Sequence, residues 1–394
     1  VKTTPQQWNQ APLYALSAPV QRLTLERAVQ RLVNHHDVLR SRFIMIDGEI
    51  MQDYCQSPGE LPLDWIELQS SDADSQKAEI AAFAETAHGQ FALDQGRLVR
   101  FAYFSAPGAT DDYLLVIAHH LVIDAVSWRL LIEDLMALLD SLERGKAVTL
   151  PKKTTAFQEW ATRLSELANT DTICEQADFW AGRHTKYEVA LGLSGNLERN
   201  RVGTAFTVTS TLDATSTGVL VEQVAKVFRT RINDALLAAL TMTLGKLGDA
   251  EKILFDLEGH GREPLFDDID LSRTFGWLTT VYPVVLETKP DAPVSSLLKS
   301  VKEQLRAIPS NGIGYGLLRY LRDIAEIKRL PKSQLLFNYL GRIDQVSDRT
   351  DRLRLLESNV GQARAADGRR IYVIEIDSRI QDGCLIVDWT ASDQ

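Results

Sequence analysis

Residues 113–128 decide the fold of this chain and read Tyr113-Leu114-Leu115-Val116-Ile117-Ala118-His119-His120-Leu121-Val122-Ile123-Asp124-Ala125-Val126-Ser127-Trp128. The first six residues form an apolar run, which is typical of a buried strand. Behind the stretch, leucines recur at helical spacing and define one face of a predicted helix: Leu130, Leu131, Leu135, Leu138 and Leu139. The sequence therefore predicts a strand that delivers two histidines into a turn, with a helix after it. A histidine at that position titrates near neutrality and can transfer protons.

Helical and strand patterns alternate along the whole chain, which predicts an α/β fold. A first helix is predicted from about Thr24, with Thr24 as its N-cap. A polar stretch separates two halves of similar content, each with strands, a long apolar helix and a polar motif after a core strand. We therefore predict an N-terminal lobe over residues 1–190, an inter-lobe connection over 191–203 and a C-terminal lobe over 204–394.

The composition is that of a globular protein, since 45% of the 394 residues are hydrophobic and 24% are charged. The formal net charge of −10 argues against a nucleic acid as partner, because proteins neutralise a phosphate backbone with basic residues. The cysteines, Cys55, Cys174 and Cys384, show no pairing or metal-binding spacing, so we expect a reducing, cytoplasmic compartment. No apolar run approaches the roughly 20 residues of a membrane-spanning helix, and no membrane partner is expected.

His120 and Asp124 are four residues apart, and this spacing allows two interpretations. One is a buried structural pair, which is common. Two adjacent histidines at an apolar strand-to-turn junction favour chemistry instead, and only one of them can face a given cleft because neighbouring strand residues point to opposite sides. Asp124 then either fixes the tautomer of His120 or pairs with a distant arginine. No metal site is predicted, because a third convergent motif is lacking.

Further motifs combine glycine with polar or aromatic residues, and each also has a purely structural interpretation. They are Glu258-Gly259-His260-Gly261-Arg262-Glu263, Arg273-Thr274-Phe275-Gly276-Trp277, Gly314-Tyr315-Gly316-Leu317-Leu318-Arg319-Tyr320 and Phe337-Asn338-Tyr339-Leu340-Gly341. The first is a solvated loop or a ligand-binding loop, because glycine permits close backbone approach. The aromatic residues of the second have a core-packing interpretation, which is favoured for Phe275. The third is a tight turn or an anion-binding helix N-terminus, and the fourth ends a strand.

Together with residues 119–128, these motifs resemble, in the same order, those of the epimerization domains of nonribosomal peptide synthetases. The resemblance implies two chloramphenicol-acetyltransferase-like lobes in a V-shaped pseudo-dimer, with the active site in the tunnel between them. It implies a substrate held as a thioester on the 4'-phosphopantetheine arm of a peptidyl carrier domain, next to other synthetase domains. The implied reaction inverts Cα of the aminoacyl or peptidyl residue from L to D without an intrinsic cofactor.

The resemblance also implies which residues carry the chemistry. Glu258 and His120 are expected on opposite walls of the tunnel, with Glu258 as the base for one direction. His120, as imidazolium, either protonates the other face of Cα or stabilises the enolate oxygen. Asn338 and Tyr339 are expected at the tunnel, where they orient the substrate or help proton transfer, with Tyr339 counted as catalytic and Asn338 as supporting.

Supporting roles are implied for four other residues. Asp124 and Arg262 are expected to form an ion pair that holds the two motifs together across the lobes. His119 is expected to be structural, and Trp128 to support the site.

Two other functions remain compatible with the sequence. The related condensation domains form peptide bonds, but their histidine motif usually continues with Asp-Gly; here Ala125 replaces that glycine and Val126-Ser127-Trp128 follows, which is the epimerization pattern. A non-catalytic module that binds a carrier domain is the third possibility, and the intact His120, Asp124 and Glu258 argue against it.

Overall fold

The computed structural model describes residues 5–56, 59–106, 111–147, 149–183, 199–287, 292–343 and 352–392. The chain forms two compact units, each assembled from separate segments. Unit 1 comprises Val1–Phe157, Asp270–Trp277 and Asp344–Gly368, and unit 2 comprises Gln158–Ile269, Leu278–Ile343 and Arg369–Gln394. The predicted lobes, in contrast, run continuously along the chain. Most of the predicted connection, residues 191–198, lies outside the described residues.

Strands and helices alternate along the chain, as the sequence patterns predict. The strands are β1 (Asn9–Gln10), β2 (Leu13–Leu16), β3 (Ser41–Ile46), β4 (Glu49–Tyr54), β5 (Leu63–Glu67), β6 (Val99–Ser105), β7 (Asp112–His119), β8 (Ala205–Leu212), β9 (Lys252–Gly259), β10 (Thr280–Glu287), β11 (Leu335–Arg342), β12 (Leu353–Glu357), β13 (Ile374–Gln381) and β14 (Cys384–Ser392). The helices are α1 (Arg22–His35), α2 (Ala73–His88), α3 (Ala125–Glu143), α4 (Phe157–Leu167), α5 (Asp171–Cys174), α6 (Ala177–Arg183), α7 (Ala214–Gly218), α8 (Ala225–Phe228), α9 (Ile232–Gly248), α10 (Val294–Arg306), α11 (Ile313–Gly316) and α12 (Ala325–Lys328).

In its described part, unit 1 contains a six-stranded sheet in the order β12-β2-β7-β6-β5, with β1 also paired to β7. The central strand β7 is buried on both sides. Leu114 and Val116 belong to a hydrophobic cluster with α1 and α3, whereas Leu115 and Ile117 belong to a second cluster with α2. Burial on both faces explains why the sequence of β7 is continuously apolar rather than alternating.

Two details of unit 1 differ from the sequence prediction. Helix α1 begins at Arg22 with Gln21 at the N-cap position, because the carbonyl of Gln21 accepts the backbone N–H groups of Thr24 and Leu25 at 3.0 and 3.1 Å. Thr24 therefore lies inside the first turn and is not the N-cap. Strand β12, which falls in the predicted C-terminal lobe, extends the sheet of unit 1 by pairing with β2.

The described residues of unit 2 contain a six-stranded sheet in the order β10-β9-β11-β13-β14-β8. One face packs on α9 and α10 through a hydrophobic cluster that includes Phe255, Leu257 and Phe337. Because successive strand residues point to opposite sides, the other face of β9 and β11 carries Asp256 and Asn338. The predicted mixed α/β class, with a sheet in each of two lobes, is thus confirmed, and the V-shaped arrangement of the lobes stays a prediction.

Candidate active site

Strand β7 delivers the two histidines into a turn, as predicted. The strand ends at His119, a 3-10 turn follows over His120–Val122, and α3 begins at Ala125. Asp124 is the N-cap residue of α3, and its Oδ1 accepts a hydrogen bond from the backbone N–H of Ser127 at 2.8 Å. A carboxylate there satisfies a free N–H group of the first turn and interacts favourably with the helix dipole. Asp124 therefore has a structural function within unit 1.

His119 is anchored in the core of unit 1 through both ring nitrogens. Its Nε2 lies 2.7 Å from the carbonyl oxygen of Pro5, and its Nδ1 accepts the backbone N–H of Leu121 at 3.2 Å. The ring is therefore the neutral Nε2–H form, because Nδ1 is an acceptor. The side chain is 1% exposed, and this burial lowers its pKa.

His120 points to a different set of neighbours. Its ring packs against two indoles that also contact each other, with centroids 5.2 Å from Trp8 and 4.9 Å from Trp277. Its Nε2 lies 3.2 Å from Nε2 of Gln10, and its Nδ1 is buried without a hydrogen bond among the described residues. The structure therefore differs from the interpretation in which Asp124 fixes the tautomer of His120, since neither ring nitrogen of His120 is hydrogen-bonded to Asp124.

Burial determines the charge of His120. Loss of hydration lowers the pKa of its imidazole to about 4, so that the ring is neutral at pH 7. This pKa does not agree with the sequence-based expectation that His120 acts as an imidazolium. A neutral imidazole beside a reacting carbonyl is still able to act as a hydrogen-bonding group.

The motif Arg273–Trp277 lies in unit 1, and Ser127 holds it there. The Ser127 hydroxyl donates to the carbonyl oxygen of Gly276 at 2.9 Å and accepts the N–H of Gly276 at 3.0 Å. Thr274 adds a hydrogen bond from its hydroxyl to the carbonyl of Thr155 at 2.7 Å. Ser127, a residue of the histidine motif, therefore fixes the segment that carries Trp277 to the ring of His120.

A buried charged network fixes the other end of this motif. Asp134 of α3 lies 2.9 Å from Nε2 of His36 and also accepts a hydrogen bond from the guanidinium of Arg273. His35, His36 and Asp134 lie close enough together to hold a metal ion. Arg273 already provides the positive charge at Asp134, so we interpret this cluster as a hydrogen-bonded network around the Arg273–Asp134 ion pair. In the sequence, Arg273 is recognisable only as part of a motif, and nothing near it in the chain indicates its partners.

In unit 2, Glu258 lies at the end of β9 and not in the loop after it. Val281 of β10 is its partner in the antiparallel register. Leu336 of β11 pairs with Asp256 in the parallel register, so the side chains two residues further on, Asn338 and Glu258, lie on the same face of the sheet. Asn338 thus shares the polar face of Glu258 and is half-buried.

Tyr339 has a different environment from its neighbour Asn338. Its ring packs against the hydrophobic cluster on the opposite face, together with Phe337 and Leu257. Burial raises the pKa of its hydroxyl. The catalytic role expected for Tyr339 stays a prediction, and the register favours Asn338 as the β11 residue on the side of Glu258.

A second carboxyl group accompanies Glu258 on this face and was missed by the sequence analysis. Asp256 accepts a hydrogen bond from the Tyr372 hydroxyl at 2.9 Å. Burial raises the pKa of Asp256 to about 6, although Tyr372 and Arg319 act in the opposite direction. The negative charges of Asp256 and Glu258 in turn help burial to raise the pKa of Tyr372. The alternation of β9 was the available signal, since Asp256 precedes Glu258 by two residues.

The loop after β9 is built by its glycines. Gly261 has φ +67°, and a Cβ there would lie 1.6 Å from the carbonyl oxygen of Leu278. The backbone N–H of Arg262 bonds Nδ1 of His260 at 2.9 Å. Glu263 is buried and accepts a hydrogen bond from Asn311 at 2.6 Å, which joins this loop to the glycine-rich segment before α11.

The predicted site residues therefore fall into two groups. His119, His120, Asp124 and Trp128 belong to unit 1, whereas Glu258, Arg262, Asn338 and Tyr339 belong to unit 2. The approach of His120 to Glu258 and the ion pair between Asp124 and Arg262 stay predictions. Among the residues that the structure describes, no helix is long and apolar enough to cross a membrane.

Two relatives are large proteins of the linear gramicidin synthase of Brevibacillus parabrevis. One of them is 36% identical over 396 residues, which cover 97% of this chain and 8% of that protein. The other is 38% identical over 383 residues, which cover 96% of this chain and 5% of that protein. The chain thus spans less than a tenth of these relatives, which places similar sequences within much larger synthetases.

Solved structures are similar over nearly the whole chain. The epimerization domain from the third module of tyrocidine synthetase B has a TM-score of 0.89 and 29% identity, covering 99% of this chain and 88% of that one. The first condensation domain of the calcium-dependent antibiotic synthetase has a TM-score of 0.74 and 18% identity, and the match covers 98% of this chain and 86% of that one. The condensation domain family matches residues 1–393. The chain belongs to the condensation domain family of nonribosomal peptide synthetases.

Proposed function

We propose that this domain inverts Cα of an aminoacyl or peptidyl residue that a carrier domain presents as a phosphopantetheine thioester. The observation that carries this proposal concerns the residues that separate the epimerization pattern from the condensation pattern. Ser127 holds the segment of Trp277, and Trp128 donates to Gln10, so both build the surroundings of His120. The higher TM-score with an epimerization domain, 0.89 against 0.74, supports the same choice.

The chemistry requires a base, an acid and a group that stabilises the enolate. In the proposed reaction Glu258 removes the Cα proton, and the C–H electron pair moves into the thioester to form an enolate. A water molecule on the opposite face then donates a proton to Cα, which restores the thioester with inverted configuration, and the resulting hydroxide takes up the proton that Glu258 had removed. His120 is neutral at pH 7, so it does not act as an imidazolium acid but as a neutral hydrogen-bonding group next to the substrate.

The test is proton exchange at Cα. The protein is incubated in D₂O with a carrier domain that bears an L-aminoacyl thioester, and deuterium content and chirality of the released residue are measured. We expect deuterium uptake with formation of the D-residue, and a loss of about 10²-fold or more in Glu258→Gln. Glu287→Gln is the matched control, since Glu287 lies at the exposed end of the neighbouring strand β10.

Two outcomes would contradict the proposal. Peptide-bond formation that requires a second, acceptor carrier, without exchange at Cα, would favour a condensation domain. Carrier binding without exchange or bond formation, on aminoacyl and peptidyl carriers alike, would favour a non-catalytic module. Full exchange by Glu258→Gln would exclude Glu258 as the base while leaving the epimerase intact.

A further inference from the structure

Three side chains form a hydrogen-bonded series in unit 1 that ends on His120. The indole N–H of Trp128 donates to Oε1 of Gln10, and Nε2 of Gln10 lies 3.2 Å from Nε2 of His120. An indole nitrogen is a donor only, so the atom of Gln10 that faces it has to be the carbonyl oxygen. The amide nitrogen of Gln10 therefore faces His120, and it is a donor only. Nε2 of His120 consequently has to be the acceptor.

Backbone pairing fixes Gln10 in this position. Strand β1 pairs with β7, so that Gln10 lies opposite Ala118, and the N–H of His120 donates to the carbonyl of Trp8 at 2.8 Å. Residues opposite each other in a ladder share a face, which places Trp8, Gln10 and His120 on one side. The contact between Gln10 and His120 thus follows from strand register.

We propose that Gln10 and Trp128 are positioning residues that hold His120 as the neutral imidazole with its proton on Nδ1. Hydrogen-bond donors and acceptors decide between the tautomers. A proton on Nε2 of His120 would face the amide N–H of Gln10. Rotation of the amide by half a turn would relieve that conflict only by placing the same NH₂ group against the indole N–H of Trp128. Both alternatives bring two donors into direct contact in a partly buried site, whereas a proton on Nδ1 is buried without a partner but faces no second donor.

Other groups around His120 also influence its protonation. Arg364 and His119 disfavour the imidazolium, whereas the carbonyl of His120 itself and Asp124 favour it. The unfavourable contributions prevail because the ring has lost most of its hydration. This inference rests on the proposed function in one respect only: in an epimerase it assigns His120 the part of a neutral hydrogen-bonding group rather than that of a proton donor at Nε2.

The tautomer is directly measurable by NMR without substrate. In protein labelled with ¹⁵N-histidine, long-range ¹H–¹⁵N correlations distinguish a protonated from an unprotonated ring nitrogen, and the spectrum of His120→Gln assigns the signal. We expect protonated Nδ1 and unprotonated Nε2 in the native protein from pH 8 to about pH 5. A protonated Nε2 in that range would overturn the inference.

Two variants test the two positioning residues. Gln10→Glu places a carboxylate beside Nε2, so we expect the midpoint of His120 titration to rise by about one pH unit or more. Gln6→Glu adds the same charge at an exposed position four residues away and should leave the midpoint unchanged. Trp128→Phe keeps a large aromatic ring but removes the indole N–H, so we expect a mixture of the two tautomers. An unchanged tautomer in Trp128→Phe, or equal midpoints in the two glutamate variants, would contradict the proposal.

These readouts are independent of the proposed epimerase. An Nδ1–H tautomer in a protein without Cα exchange would retain this inference and refute the function. Cα exchange by a protein whose His120 carries its proton on Nε2 would refute this inference and retain the proposed function. Near-ultraviolet circular dichroism of each variant verifies that the fold is retained.

Discussion

The hydroxyl of Ser127 is hydrogen-bonded to both backbone groups of Gly276, as donor to the carbonyl at 2.9 Å and as acceptor from the N–H at 3.0 Å. Both residues are buried, and 149 positions of sequence separate them. One hydroxyl at the start of α3 thereby fixes the segment that leads to Trp277. The histidine motif and the Arg273–Trp277 motif are for this reason a single structure.

We expect Ser127→Ala to destabilise the protein by about 1–3 kcal/mol, because it leaves a buried N–H and a buried carbonyl without a partner. Denaturant unfolding measures this loss. Ser165→Ala is the control, since the Ser165 hydroxyl bonds the carbonyl one turn earlier on the exposed side of α4. Equal stability of the two variants would show that the Ser127 contact is unimportant. Cα exchange by Ser127→Ala should fall as well, because Trp277 is no longer held at His120.

Gly261→Ala should displace the loop that follows Glu258. The added methyl group would meet the carbonyl oxygen of Leu278 at 1.6 Å, and φ of +67° is strained for any residue with a Cβ. We expect a clear loss of thermal stability and of Cα exchange. Gly218→Ala is the matched control: that glycine lies in α7 with open space around it, and alanine there should be neutral or stabilising by up to about 1 kcal/mol. A Gly261→Ala protein with the stability of the control would contradict the close approach.

Asp256 should make stability depend on pH. Its pKa of about 6 in the folded protein lies above the ordinary value of 3.8, so its favourable contribution is present below pH 3.8 and is lost as pH rises through 6. Relative to Asp256→Asn, the free energy of unfolding of the native protein should fall between pH 4 and pH 6, by up to about 3 kcal/mol. Asp267→Asn, at an exposed carboxylate, is the matched control. A constant difference between native protein and Asp256→Asn across this range would refute the raised pKa.

The strand register distinguishes Asn338 from Tyr339. Asn338 lies on the face of Glu258, so we expect Asn338→Ala to lower the rate of Cα exchange about tenfold, or ~1.4 kcal/mol, with the fold intact. Tyr339→Phe retains the packed ring on the other face of the sheet, so its rate of Cα exchange should fall less than that of Asn338→Ala. Tyr339→Phe with the larger loss would instead support the catalytic role that the family resemblance implies for its hydroxyl. Circular dichroism of both variants controls for misfolding.

Local patterns in the sequence determined much of the fold and the identity of the candidate residues. The apolar run of β7, the two histidines at its end and the helical leucine spacing of α3 all appear as predicted. Such signals are readable because the periods of strands and helices are local properties of the chain. Helix α1 shows the limit of this reading, since the carbonyl of Gln21, and not the side chain of Thr24, sets where the helix begins.

Only the tertiary structure decided which side chains meet. Gln10 lies 110 positions from His120, and Tyr372 lies 116 positions from Asp256, yet each pair is in contact. Pairing between strands that are distant in sequence brings such residues together. This pairing cannot be predicted from the local sequence around each residue. The sequence alone therefore identified most of the candidate residues, but not Gln10 or Asp256. The proposed tautomer of His120, the pKa of Asp256 and the segment that carries Trp277 depend on burial and on distant partners.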